Sequence, residues 1–444
     1  MRRALVLPAA ALILVLGACT GGATTKPPGG PRPVQGGGIS FGVLGSPATL
    51  DPYSPVASDM TRALVTPLYP SLFAMQPDGR VRPELAVGSR LIHGGMRIRL
   101  RRATWSDGSP ITAEDVVASV RRARPPSGFA RVRSARAMGD RELVLRGRIT
   151  TRDVATAAYV LPGGRPQPPG GRFGGPFELT RVVPGLRLDY RPNARWTGDG
   201  PYLHRLNVFF VESLDEMLAL LDKRRLDAAA VPSAVNLGYR LDALDVVHDS
   251  ALGWSSIRLD MRWIDSRRRR VSIARGLMRS TIEEGVVRDG GRIADRLDPG
   301  PGPGGASGPF STLPSGGGST GPVRLAAPAG DEQLLQIARI ARQQLSGAGF
   351  AVQLLAVEPQ TLYGPWQRHP RAGAILERVA GAPGLRAPRD ASHTLEAFPM
   401  FQVRDYLAYE QGIHGLAVNP TMAGPLWNCQ GWWTTHRPEA NVPL

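Results

Sequence analysis

Lysine is almost missing from this 444-residue chain. Only Lys26 and Lys223 occur, so 52 of its 54 basic residues are Arg. Against 37 acidic residues this leaves a net charge of +17. A ratio so skewed, beside abundant Ala, Gly and Pro, reflects G+C-rich coding as much as selection for charge. The charge alone therefore does not assign a nucleic-acid partner. Cysteine is nearly as scarce, with only Cys19 and Cys429, which rules out a disulfide framework. Aromatic residues make up 6%, and no basic stretch interleaved with aromatics appears, which disfavours nucleic acid. The seven His are scattered, with none at i, i+3 or i+4, so no sequence-visible zinc site exists and no metal or other cofactor is expected. Long apolar runs are also lacking. Beyond residue 18 nothing reaches 18 uncharged apolar residues, so no later segment is expected to span a bilayer.

The one apolar run present is Ala4 to Ala18, preceded by Arg2 and Arg3. Fifteen residues are short for a bilayer and fit a secretory signal. It ends in Leu16-Gly17-Ala18-Cys19, which resembles the lipobox of bacterial lipoproteins, so residues 1–18 are expected to be cleaved and Cys19 lipidated. Residues 19–38, rich in Gly, Pro and Thr, then form a tether with a reach of roughly 20–25 Å. That places the chain on the extracytoplasmic face of the cell membrane. Cys429, left unpaired in an apolar context, is expected to be a small buried hydrophobe.

Length predicts two or three domains. Strands are predicted at Ile39–Val43, Met96–Arg101, Leu143–Leu145, Leu206–Val211, Ser255–Leu259, Val323–Ala326 and Ala351–Leu355. In Met96–Arg101 the alternation buries Met, Ile and Leu and shows three Arg to water. From Arg90 to Arg152 there are 15 Arg against five acids, a net of +10, read as a solvated face. Helical spacing runs through Ala57–Leu72, interrupted by Pro67 and Pro70. Further helices are predicted over Leu214–Leu221, about Ser272–Glu284, and Glu332–Ser346, the last with Leu334, Leu335, Ile337, Ala338, Ala341 and Leu345 on one side. Alternating strands and helices give an α/β fold. Residues 298–322 read as a Gly/Pro/Ser loop. The G-x-S-x-G at Gly317–Gly321 and the G-x-G-x-x-G at Gly300–Gly305 fall inside it, so neither a nucleophile elbow nor a phosphate cradle is expected.

The most specific stretch is Trp105-Ser106-Asp107-Gly108-Ser109-Pro110-Ile111-Thr112-Ala113-Glu114-Asp115-Val116-Val117. Asp107-Gly108 makes a turn. Thr112 N-caps a helix with Asp115 three residues on. Val116, Val117 and Val120 form its buried stripe, and Pro125 stops it.

That string resembles the hallmark of the family 5 extracellular solute-binding proteins, the peptide- and nickel-type receptors of ABC importers. Other landmarks follow in the family's order: Thr49–Pro52, Pro77–Gly79, Pro83–Ala86, Gly174–Leu179, Tyr190–Trp196, Leu226–Ala228, Ala274–Leu277, Pro399–Phe401, Gly415, Asn419–Thr421 and Gly424–Asn428. Two departures stand out. Asp260 replaces the family's usual Asn. Residues 374–388 contain neither the Trp nor the Asp of the element that anchors a peptide's α-amino group.

The resemblance implies a two-lobed periplasmic-binding-protein-like fold, type II with an extra subdomain, and a ligand cleft between lobes. One lobe would comprise residues 39–60, 169–255 and 398–444, with a subdomain over 61–168; residues 256–397 would form the other. It implies a monomeric, lipid-anchored receptor that captures a peptide-like or other small polar ligand, hands it to ABC permease subunits and performs no catalysis. The implied cleft residues are Asp51, Tyr53, Gly175, Phe177, Trp254, Arg258 and Asp260, with Trp366 and Trp427 as aromatic walls. Arg258 and Asp260, two apart on a strand, would face one side, either pairing with a zwitterion or bridging each other. The alternative is a non-transport envelope lipoprotein that uses the same fold to regulate or scaffold cell-wall or glycolipid assembly.

Overall fold

A computed structural model of the chain describes residues 32–124, 127–295, 297, 310, 313, 320–362, 365–367, 371–380, 394–419, 421 and 423–435. Cys19, the signal segment and most of the tether therefore lie outside the described residues, as do residues 300–305 and 317–319 of the two glycine motifs. Residues 33–444 belong to one compact unit.

The first lobe starts at β1 (Gly38–Leu44), whose side chains are mostly buried, as in a strand covered on both faces. Ser58 caps α1 (Asp59–Val65) through a reciprocal capping box with Thr61. Pro67 follows, so the predicted long helix is one of seven residues. A short hairpin, β2 (Phe73–Met75) with β3 (Val81–Pro83), leads to an antiparallel sheet. That sheet is built from β4 (Ala86–Ile92), β5 (Gly95–Leu100), β6 (Ser134–Ala137) and β7 (Glu142–Arg146), in the order β4-β5-β7-β6. On β5, Met96, Ile98 and Leu100 are buried and Arg97 and Arg99 exposed, with Arg101 exposed just beyond it. The Arg surplus here is a solvated face.

Between β5 and β6 sits α2 (Ala113–Arg122), capped by Thr112 with Asp115 as expected. Ahead of it the Asp107 carboxylate accepts from Ser109 N–H at 2.9 Å and from its hydroxyl at 2.6 Å. Gly108 there takes φ +90°, the left-handed region that this turn requires. These bonds, that from the Ser109 hydroxyl first, hold Asp107 below its ordinary carboxylate pKa.

The lobe continues through β8 (Phe177–Val183), β9 (Arg187–Pro192), β10 (Arg205–Val211), α3 (Leu214–Asp222), β11 (Ala228–Val231) and α4 (Leu237–Asp242). Then come two long strands, β12 (Val246–Asp260) and, later, β17 (Ala397–Glu410). Between these lies the second lobe: α5 (Arg267–Arg275), α6 (Arg279–Ile282), β13 (Gly291–Ile293), β14 (Pro322–Pro328), α7 (Glu332–Gly347), β15 (Ala351–Val357), α8 (Pro359–Leu362) and β16 (Ala374–Ala380). A small pair, β18 (Ile413–His414) and β19 (Trp433–Thr434), follows β17.

One sheet runs through both lobes in the order β15-β14-β16-β12-β17-β11-β1-β10-β9-β8, with β13 added on β17. It contains two parallel triplets. In one, β1 lies between β10 and β11; in the other, β14 lies between β15 and β16. Antiparallel β12 and β17 stand between them and belong to both lobes. Their mutual register slips between Leu252 and Ser255 and again between Ile257 and Arg258. Each lobe has its own apolar core. The first is centred on residues such as Phe41, Trp105, Phe177 and Trp432, the second on residues such as Ile257, Ile337 and Phe401.

Two local expectations change. The helix placed at Ser272–Glu284 instead occupies Arg267–Arg275, stops at Gly276, and resumes as α6 followed by a wider turn over Glu283–Val287. An added Cβ on Gly276 would lie 3.0 Å from Leu345 of α7, so this helix end packs closely on α7. On α7, Leu335 is only half-buried while Gln333 is buried, because Gln333 Oε1 is bound by Ser233 and Arg378. Cys429 is buried, and burial pushes its thiol pKa well up.

Candidate functional site

In open parallel sheets, ligands settle where loops leave the carboxyl ends of strands. Here the carboxyl ends of both parallel triplets converge. Ser46, two residues past β1, accepts a hydrogen bond from Gln360 Nε2 of α8 at 2.7 Å. Gly330, past β14, packs so closely on the segment past β10 that an added Cβ would meet Glu212 O at 2.7 Å.

A buried pin sits at this seam. Arg378 of β16 contacts Asp331 at 3.1 Å and Asp405 at 3.5 Å, and donates to Ser233 O and Gln333 Oε1. Asp405 also accepts from Ser233 N–H at 2.9 Å and from the Ser255 hydroxyl. Asp331 meanwhile caps α7 by accepting from Leu334 N–H. Burial raises the Asp405 carboxyl pKa, with Arg378 opposing. Every polar group here is occupied by protein, so the pin joins the lobes.

The opposite face of β12 and β16 is different. Side chains alternate across a strand, so Ile257, Leu259 and Leu376 enter the second-lobe core while Arg258, Asp260 and Glu377 share the other face. Arg258 stands opposite Glu377 in the β12–β16 register, and its Nε–H donates to Oε1 at 2.7 Å. Asp260 instead binds Arg262, accepting from its backbone N–H at 3.1 Å and from its guanidinium at 2.6–3.0 Å. Arg258 and Asp260 therefore do not bridge each other: each has a closer partner, one across the sheet and one at the strand's end.

The result is a cluster of two cations and two anions, with Asp260 and Glu377 nearly inaccessible. Burial disfavours the charge on Arg258, but Glu377 and Asp260 outweigh it and its pKa is raised. Asp59, in the first turn of α1, adds to that effect, so the first lobe faces this cluster. Burial raises the Glu377 carboxyl pKa, with Arg258 opposing. The Arg258 side chain retains 32% of its accessibility. Its two Nη groups make no hydrogen bond among the described residues. Beside it the Arg262 guanidinium lies 4.5 Å above the Trp263 ring, and Trp263 and Trp366 pack on the small apolar cluster of Val357, Leu362 and Ile375. This surface offers a cationic fork, a buried counter-charge and aromatic walls.

Of the residues expected in a cleft, Arg258, Asp260 and Trp366 meet on this face. Trp254 lies in β12, but its side chain is outside the described residues. Asp51 pairs with Arg122 and accepts from Tyr53 N–H at 3.0 Å, tying α2 to the turn after β1. Tyr53 is 3% exposed and donates to Tyr159 O at 2.5 Å, and Phe177 is fully buried; both are core. Gly175 lets the chain pass Pro67, whose carbonyl oxygen would lie 2.3 Å from an added Cβ. Trp427 donates to Ala417 O at 2.8 Å and lines a separate cavity in the first lobe. The sequence reading missed Glu377, Arg262, Trp263 and Asp59. Arg262 and Trp263 had a signal, two and three residues past Asp260. Glu377 had none, because only the strand pairing places it opposite Arg258.

Residues 81–381 match the family model for bacterial extracellular solute-binding proteins, family 5 middle region. The fold resembles the oligopeptide-binding protein AppA from Bacillus subtilis, solved with a nonapeptide. The TM-score is 0.75 at 15% identity, over 91% of this chain and 100% of that one. It also resembles NikZ from Campylobacter jejuni in complex with Ni(L-His), with a TM-score of 0.72 at 12% identity, over 89% and 99% of the two chains. At such identities the likeness concerns the fold. Over 83 residues the chain is 39% identical to the probable deoxycholate-binding periplasmic protein YgiS of Escherichia coli strain K12, a match spanning 18% of this chain and 15% of that protein.

Proposed function

The chain belongs to the bacterial extracellular solute-binding proteins of family 5, and we propose that it captures a small carboxylate-bearing polar or peptide-like solute between its lobes. It is a binding protein of the ABC-transporter type and not an enzyme. Arg258 carries the reading: its guanidinium is fixed through Nε by Glu377, its side chain keeps 32% of its accessibility, and Arg pairs with carboxylates through its remaining N–H groups. Asp260 holds Arg262 beside it, Trp263 and Trp366 supply apolar area, and Asp59 of α1 faces the cluster from the first lobe.

Closure brings the Ser46 loop to α8, and the long strands β12 and β17, which run from lobe to lobe, act as the hinge. The closed receptor then presents the solute to a permease. Lipid on Cys19 holds the receptor on the outer face of the cell membrane; no helix among the described residues is long and apolar enough to cross one. Native mass spectrometry of chain purified without refolding tests this. A co-purifying mass, lost in an Arg258→Ala chain that keeps its circular dichroism, is the expected result. Equal occupancy in both chains removes Arg258 from the site, and an empty cleft in both removes the receptor reading.

A further inference from the structure

The first lobe contains a cavity of about 180 Å³ that is separate from the charged face of β12 and β16. It opens between the β2–β3 hairpin, the 155–159 segment and the chain at 421–430. For scale, a dry cavity of about 150 Å³ accepts a benzene molecule. Tyr69, Tyr159, Trp196 and Trp427 give its wall four aromatic side chains, Gln76 and Gln430 give two amides, and Glu84 gives its one carboxylate. A second, smaller space of about 50 Å³ adjoins it, and both share Glu84 and Trp196.

Glu84 stands out in a chain of net charge +17. Among the described residues it makes no ion pair; Arg101 acts on it only through space, and the Ser71 N–H is its hydrogen-bonding neighbour. Burial leaves this carboxyl raised to about 7, which is the behaviour of an acid lacking its counter-ion. Ala157, also on the wall, holds a left-handed φ of +44°, a strained backbone of the kind that gathers at binding sites.

We propose that this cavity is an accessory site for a small organic ammonium ion of about six to ten heavy atoms, with its cationic end on Glu84 and its body between Trp196 and Trp427. Ammonium groups bind carboxylates by charge-assisted hydrogen bonds and aromatic faces by their quadrupole. The cavity supplies both, and its volume excludes a peptide of several residues. The proposal does not depend on the solute bound between the lobes, since none of its residues touches that face.

Calorimetry on the intact chain with benzylammonium, and with neutral benzyl alcohol as its near-isostere, tests the site. Expected is saturable benzylammonium binding at least tenfold tighter than that of benzyl alcohol, and at least tenfold weaker in Glu84→Gln. Binding should strengthen from pH 6 to pH 8, as Glu84 ionises while the amine stays protonated. Ala74→Leu, which fills the cavity from β2 without touching Glu84's charge, should abolish binding independently. Absence of binding to the natural chain, equal affinity for benzyl alcohol, or persistence of full affinity in either folded variant would each overturn the proposal.

Discussion

Arg258 and Glu377 face each other across adjacent antiparallel strands 119 positions apart in sequence, with Arg258 Nε 2.7 Å from Glu377 Oε1. The pair is half of a four-charge cluster whose sum is zero, on a face close enough to α1 for Asp59 to act on Arg258 through space. The Nε end of Arg258 is spent on holding the residue in place, and the proposed solute contact falls to its Nη end.

Breaking this pair from one side should be costly. Arg258→Leu leaves Glu377 buried without its counter-charge, and about 2–3 kcal/mol of stability should be lost, near the lower end for buried pairs because Arg258 is one-third accessible. The double variant Arg258→Leu/Glu377→Leu should recover most of that loss, because an apolar pair replaces an ionic one at little net cost. Urea denaturation of the two variants measures both. Loss of stability in the double variant equal to that of the single one would show that the pair's partner is not Glu377.

Gly175 packs directly against the Pro67 carbonyl. Gly175→Ala would press a methyl group onto the Pro67 carbonyl, for a cost of about 1–3 kcal/mol. Thermal unfolding should register that loss, while solute occupancy per folded molecule stays unchanged. A variant of full stability and reduced occupancy would reverse the assignment.

Glu84 should give the folded chain a pH signature. Its pKa is raised in the folded state, from an ordinary 4.5 to about 7, so between those values the folded chain holds a proton that the unfolded chain has released. Stability therefore falls as pH rises from about 4.5 to 7. Because Glu84 remains partly accessible at the cavity mouth, the slope should be a fraction of the full ~1.4 kcal/mol per pH unit. Urea midpoints from pH 4.5 to 7.5 should fall less in Glu84→Gln than in the natural chain. Parallel curves would place the carboxyl in water.

Cys429 should be chemically silent. Its thiol is fully buried and its pKa raised by burial, so little thiolate forms at neutral pH. In a Cys19→Ser chain, a thiol reagent should find no reactive group until denaturant is added. Stoichiometric labelling of the native protein within minutes would contradict the burial.

Local chemistry was readable in the sequence. The Thr112–Asp115 capping box, the turn at Asp107–Gly108, the alternation of Met96, Ile98 and Leu100, and the amphipathic run of α7 all depend on neighbours within a few residues, and each formed where spacing placed it. The ordered landmarks around Trp105–Val117 pointed to the family for the same reason: a string of fixed local geometry survives as a string. Helix ends were less legible: the break at Gly276 lies where the helix packs on Leu345 of another helix.

What decides the site is non-local. Asp51, Tyr53, Gly175, Phe177 and Trp427 were chosen by sequence position, and packing put them in an ion pair, a core, a backbone crossing and a separate cavity. A charged residue's partner is whichever opposite charge the strand register delivers, and sequence spacing does not encode register between strands more than a hundred residues apart. Residues 374–388 were read for the Trp and Asp they lack, while Glu377 within them supplied the counter-charge for Arg258. The sequence by itself determined the family, the alternation of elements and each local cap. Only the tertiary structure decided which charges meet, because burial and pairing across the sheet are properties of the folded chain.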